Sequence, residues 1–256
     1  MFVRDATDIP DWRRAEDYGW LEGCSRAAFA WEWLRRQPAY RQAWKESRSA
    51  CDLENGIEAG LWNLHSFEDP RVTSTTARPM WRREVFPFVL EARAKHCCSV
   101  DDCFDFDGLA HLMTRASGSN CEHLLLSNGR HFLRLDVIGR SIGSGPVSLE
   151  FRLSGLKVLS APLIALRQLR SLTLNGSFAA SLHPPERRGR RMVMLLRAFD
   201  ALAAGATQKE IADQLLLAVP QQRWRTLAPS LRGQAQRLVK GARIFAAGRF
   251  WKLLQP

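Results

Sequence analysis

Apolar and polar residues alternate along this chain in three successive regimes. From Asp11 to Lys45 large apolar residues recur at helical spacing; Ser25 stands where an N-cap belongs, and Pro38 is placed to open a second helix. The pattern predicts a small helical module over residues 1–45. Residues 46–80 hold no sustained period beyond a short helix near Ile57 to Leu64 and read as a connector. In residues 81–180 the period shortens. VFPFVL at 85–90 predicts an edge strand, since proline brings no ladder donor. HLLLSNGRHFLRLDV predicts a hairpin from about Glu122 to Val137, turned at Asn128-Gly129 by a two-residue type I′ turn. A third strand is expected over Val147 to Leu153, and helical spacing resumes from Leu156 to Leu174.

After the breaker HPPERRGRR the helical period holds through residues 186–256. Arg191 to Ala204 is amphipathic, with Gly205 at the C′ position. Thr207-Gln208-Lys209-Glu210 is a capping box, opening a helix to about Leu217. An interval with Pro220, Trp224 and Pro229 precedes a long third helix capped by Ser230. The expected class is α+β, mostly α: a helical N-terminal module, a small central antiparallel sheet with a helix, and a three-helix C-terminal module.

Charge sharpens this picture. Residues 1–186 hold 23 Lys and Arg against 23 Asp and Glu, whereas residues 187–256 hold 14 against 3. The net charge of +11 therefore lies in the C-terminal module, the footprint of a polyanion partner, nucleic acid first. On the third helix Leu231, Ala235, Leu238, Ala242 and Phe245 form one apolar stripe, while Arg232, Gln236, Lys240 and Arg243 fall on another face with Arg237 beside them. Arg reads guanine O6 and N7, Gln reads adenine N6 and N7, and Lys neutralises phosphates, so the ridge suits the major groove of double-stranded DNA. GATQKEIADQLL has the pattern of the second helix of a helix-turn-helix, which brings Thr207, Gln208 and Lys209 to the expected interface, with Arg225 from the basic interval. The interval from Leu217 to Pro229 is longer than the turn of the compact motif.

Other chemistries are weaker. His96, Cys97, Cys98, Cys103, Cys121 and His123 include zinc-ligand types but lack paired spacing, so free thiols and no metal are expected, and irregular spacing argues against a disulfide framework. DDCFDFDG lacks the ligand order of a calcium loop, GRSIGSG lacks that of a phosphate cradle, and no nucleophile elbow or HExxH occurs. No cofactor and no enzymatic activity are expected. The crowded Trp12, Trp20, Trp31, Trp33 and Trp44 read as a compact aromatic core. No run approaches the roughly 20 apolar residues that span a bilayer, so a cytoplasmic protein without membrane contact is expected.

RRGRRMVMLLRAFDALAAGATQKEIADQLL, SLRGQAQRLVKGARIFAAGRFWKLL and the upstream LSGLKVLSAPLIALRQL together resemble a proteobacterial helix-turn-helix-variant domain, long a domain of unknown function. PDWRRAEDYGWLEGCSRAAFAWEWLRRQPAYRQAW resembles the transcriptional-regulator-like domain that often precedes it. Members include activators and antiactivators of excision and transfer of integrative and conjugative elements. The resemblance implies a promoter-binding activator of mobile-element genes, with RNA polymerase or an antiactivator as protein partner. It places Ser230, Arg232, Gln234, Gln236, Arg237 and Lys240 on the recognition helix. The alternative is a protein-binding antiactivator or scaffold that uses the same fold to hold another regulator.

Overall fold

The computed structural model describes residues 9–49, 52–97, 103–118, 120–216 and 229–256. The α+β class holds, with one five-stranded sheet between helical ends. The helices are α1 (Arg26–Leu34), α2 (Pro38–Ser47), α3 (Asp52–Leu61), α4 (Ser160–Asn175), α5 (Gly189–Ala203), α6 (Gln208–Leu215) and α7 (Pro229–Ala246). The strands are β1 (Val89–His96), β2 (Met113–Ser117), β3 (Glu122–Ser127), β4 (Phe132–Gly139) and β5 (Val147–Arg152). The compact units divide the chain differently from the linear segments its patterning suggests. Residues up to Gln37 join Pro185–Leu253 in one unit, and Pro38–Pro184 with Leu254–Pro256 form the other.

In the first unit α1 begins where the Ser25 side chain accepts the Ala28 N–H at 3.3 Å. Every residue from Ala27 to Leu34 is buried, seven of them apolar and the eighth, Glu32, paired with arginines. Trp33 packs on Phe199 of α5 and Phe245 of α7, both at 5.4 Å between ring centroids, so the aromatic core is shared between the two ends of the chain. Trp12 and Trp31 are buried with it, while Trp20 is half-buried. Glu32 and Arg36 enter the same core as a closed ion network. Arg36 Nε donates to Asp200 at 2.8 Å, its Nη1 to Glu32, and Arg35 Nε to Glu32 at 2.7 Å. The Tyr18 hydroxyl donates to Asp200 at 2.6 Å. Burial and the Asp200 carboxylate together push the Tyr18 phenol well above its ordinary range. Burial works against the Arg36 charge, but Asp200 and Glu32 outweigh it and push the guanidinium pKa further up.

In the second unit the strand order is β2-β3-β4-β1-β5. Leu124, Leu126, Leu133, Leu135, Val137, Leu90 and Ala94 meet Ala165, Leu169 and Leu172 of α4 to form its core. Three details depart from the expectation. The sheet is mixed, because β1 and β4 run parallel, with Val89 opposite Arg134; alternation along a strand identifies its buried face and leaves its partner open. VFPFVL is not an edge strand. Val85 and Phe86 donate to the Arg82 carbonyl in a turn, and β1 starts beyond Pro87 and runs between two neighbours. The hairpin is present, but its loop has four residues, Asn128–His131, since Ser127 pairs with Phe132. Asn128 Oδ1 accepts the N–H groups of Arg130 and His131 at 3.1 and 2.8 Å, and this side-chain turn displaces the two-residue one. Gly129 has φ +88° and a Cβ there would lie 2.3 Å from the Thr75 carbonyl oxygen, so only glycine fits.

The cysteines differ as well. Cys97 and Cys103 are joined in a disulfide, their Cα atoms 5.5 Å apart, where free thiols were expected. Six residues of separation let the chain bring the two together without a wider framework. Cys121 is a free thiol, and the Cys24 thiol donates to the Trp20 carbonyl at 3.5 Å.

Candidate nucleic-acid interface

The three C-terminal helices take up their positions through local rules. Gly205, φ +78°, follows the α5 C-cap as a left-handed stop. The Thr207 hydroxyl accepts the Glu210 N–H at 3.2 Å and the Glu210 carboxylate accepts the Thr207 N–H at 2.7 Å, closing the capping box that starts α6. The Thr207 N–H and the Thr207 hydroxyl, which donates to the same carboxylate at 2.8 Å, draw the Glu210 carboxyl below its usual range. Ile211 and Ala212 turn into the core. Helix α7 packs on α5 and α6 through Ala235, Leu238, Val239 and Ala242, all buried. Gly241 lets α7 approach α5 closely, since a Cβ there would sit 2.7 Å from Leu195 Cδ2.

With that stripe inward, the opposite face of α7 is bare. Arg232, Gln234, Gln236, Arg237, Lys240 and Arg243 are all exposed. Among the described residues, no carboxylate lies within ion-pairing distance of Arg232, Arg237, Lys240 or Arg243. Gln236, Lys240 and Arg243 line an open groove of about 500 Å3 together with Gln208, the first residue of α6, over a floor that includes Val239 and Ile244. Two amides and two cations thus converge where α6 starts beside α7.

The remaining expected residues divide. Lys209 is exposed on α6 outside the groove, as are Arg232, Gln234 and Arg237 on α7. Thr207 is exposed but committed to the cap. Helix α7 already includes Pro229, so Ser230 lies within it and is not its N-cap; its side chain lies outside the described residues. A proline opening satisfies the missing donor at N1 by having none. Arg225 and most of the interval after Leu217 also lie outside the described residues.

The sequence reading missed one cluster, in the second unit. His65, His123 and Asp136 present ligand-type atoms all within 4.8 Å of one another. His123 and Asp136 face each other across the β3–β4 register, and His65 stacks on His123 with ring centroids 3.6 Å apart. The signal was absent because His65 sits in the connector, 58 residues before His123.

Two family comparisons bear on these units. Residues 159–255 match the family described as "T6SS, Transcription factor, DNA binding domain". Residues 11–62 match the proteobacterial transcriptional regulator-like domain. No curated protein matches the chain. One matched segment is regulatory and the other DNA-binding, and in broad role the chain is a DNA-binding transcription factor. Among the described residues no helix is long and apolar enough to cross a membrane.

Proposed function

We propose that this protein is a cytoplasmic transcriptional activator that lays α7 along the major groove of promoter DNA, reading bases with Arg232, Gln236 and Gln208 and phosphates with Lys240, Arg243 and Lys209. The observation that carries this reading is the groove where Gln208, Gln236, Lys240 and Arg243 meet. Amide groups suited to base edges lie beside cations suited to the backbone, and among the described residues no acidic side chain lines the groove. Genes for excision or conjugative transfer of a mobile element are the proposed targets, on the resemblance of both ends of the chain, with RNA polymerase as the partner that an activator recruits.

The test begins with recovery of bound genomic fragments by the full chain, which names an operator. On that operator Arg232→Ala or Gln236→Ala is expected to lose about 1–3 kcal/mol of discrimination against a mutated site. Lys240→Ala weakens every sequence alike and shallows the slope of log K against log salt by about 0.9. Folded variants that bind like the parent protein would refute the assignment of α7. A chain with no salt-sensitive DNA affinity that instead forms a stable complex with another transcription factor would assign the module to protein holding. Transcription from the operator with purified RNA polymerase, with and without the chain, tests activation.

A further inference from the structure

We propose that His65, His123 and Asp136, with Cys121 beside them, form a binding site for a divalent transition-metal ion of the zinc class in the second unit. The donor set is the first ground: two imidazoles, a carboxylate and a thiol are the ligand types this class prefers. Geometry is the second. His123 Nδ1 lies 2.7 Å from Asp136 Oδ1 and 3.9 Å from Cys121 Sγ, and the histidine and carboxylate donor atoms all fall within 4.8 Å. Tetrahedral zinc, with bonds of about 2.0–2.2 Å to nitrogen and oxygen, holds such donors roughly 3.3 Å apart. The closest pair therefore opens by about half an ångström and the widest closes by about 1.5 Å on binding.

The third ground is an orphaned atom. His65 Nε2 is buried and has no hydrogen-bond partner among the described residues, an arrangement that wastes a polar group unless something occupies its lone pair or proton. The site is also supported from behind. Arg134 Nη2 donates to Asp136 Oδ1 at 3.1 Å while its other nitrogens donate to the carbonyls of Trp81, Leu124 and Leu135, which pins the carboxylate. Arg134 also puts a positive charge next to the ion, so Asp136 alone does not balance it. Cys121 supplies the second negative charge by binding as a thiolate and releasing its proton to solvent. His65, Cys121, His123 and Asp136 line a cavity of about 630 Å3, which gives an ion its entry path. The stacked rings lie 24° from parallel, and His65 has to turn out of the stack to share an ion with His123.

The test uses the full chain stripped with a chelator and titrated with cobalt(II), then with zinc. One equivalent of cobalt is expected to give the visible bands of a four-coordinate ion, with a thiolate charge-transfer band that Cys121→Ser removes. His65→Ala and His123→Ala each lower affinity by about 100-fold or more. Unchanged stoichiometric binding and spectrum in folded His65→Ala would overturn the site, since it would put the ion on the other cysteines. Where neither variant folds, imidazole nitrogen resonances of the unaltered chain decide. Two histidines shifting together at one equivalent of zinc supports the proposal, and none shifting at saturation overturns it.

Discussion

Asp200→Ala probes the joint that makes one unit of the two ends of the chain. Asp200 is buried on α5 and accepts from the Tyr18 hydroxyl at 2.6 Å and from Arg36 Nε at 2.8 and 3.1 Å. Removal leaves Arg35 and Arg36 sharing the single carboxylate of Glu32 out of contact with water. Breaking a buried pair on one side typically costs about 3–5 kcal/mol. The surviving Arg36 contact with Glu32, and the Pro10 carbonyl 3.0 Å from the Tyr18 hydroxyl, to which its one proton turns once Asp200 is gone, place this case near 3 kcal/mol, about a 150-fold change in the folding constant. Typical domains have only about 5–15 kcal/mol in total, so a large part of the stability goes. Urea unfolding followed by tryptophan fluorescence measures it, because Trp12, Trp31 and Trp33 are buried in the same unit. Arg36→Met combined with Asp200→Leu removes both charges together and is expected within about 1 kcal/mol of the parent. A loss below about 1 kcal/mol for Asp200→Ala, or strictly additive losses in the double variant, would refute the buried-network account.

Three further outcomes are expected. Thr207→Ala removes the α6 cap and destabilises the first unit by about 1 kcal/mol in thermal unfolding, whereas Thr207→Ser keeps the bond and most of the stability. Gly189→Ala places a Cβ 2.6 Å from the Glu22 carbonyl oxygen and is expected to lose about 1–3 kcal/mol, more than alanine returns in helix propensity. His183 has its pKa pushed down to about 4 by burial, with a smaller push from His131. The unfolded chain therefore takes up the proton first, and this contribution is complete above about pH 6.5 and lost as pH falls towards 4. Urea midpoints compared between pH 7 and pH 4.5 should fall less for His183→Gln than for the parent.

What the residues disclosed unaided follows from the range of each signal. The Ser25 cap, the Thr207 to Glu210 box, the Gly205 stop and the exposed face of α7 rest on neighbours within five residues, and the structure has all of them. The long-range pairings did not show. Trp33 finds Phe199 and Phe245 more than 160 residues away, and nothing local tells a buried aromatic which surface will bury it. The charge count, too, included cations that are unavailable to a partner. Arg197 belongs to the basic segment, yet its guanidinium donates to the carbonyls of Trp12 and Arg13. The mixed sheet and the histidine cluster share this origin, since alternation assigns faces and leaves strand partners and loop contacts undetermined.

The division of the first unit between the two ends of the chain also sets an order of events during synthesis. Helix α1, buried on every side in the finished unit, leaves the ribosome before the 147 residues from Pro38 to Pro184 and before the helices that cover it. At about 5–20 residues per second it waits roughly 8–34 seconds for α5 and roughly 11–42 seconds for α7. During that time it is a natural client for a chaperone. A message broken before Pro185 yields a polypeptide without α5, α6 and α7, which can never complete the first unit. Truncated copies would then lack α6 and α7, the helices proposed to meet DNA, a consequence of chain topology alone.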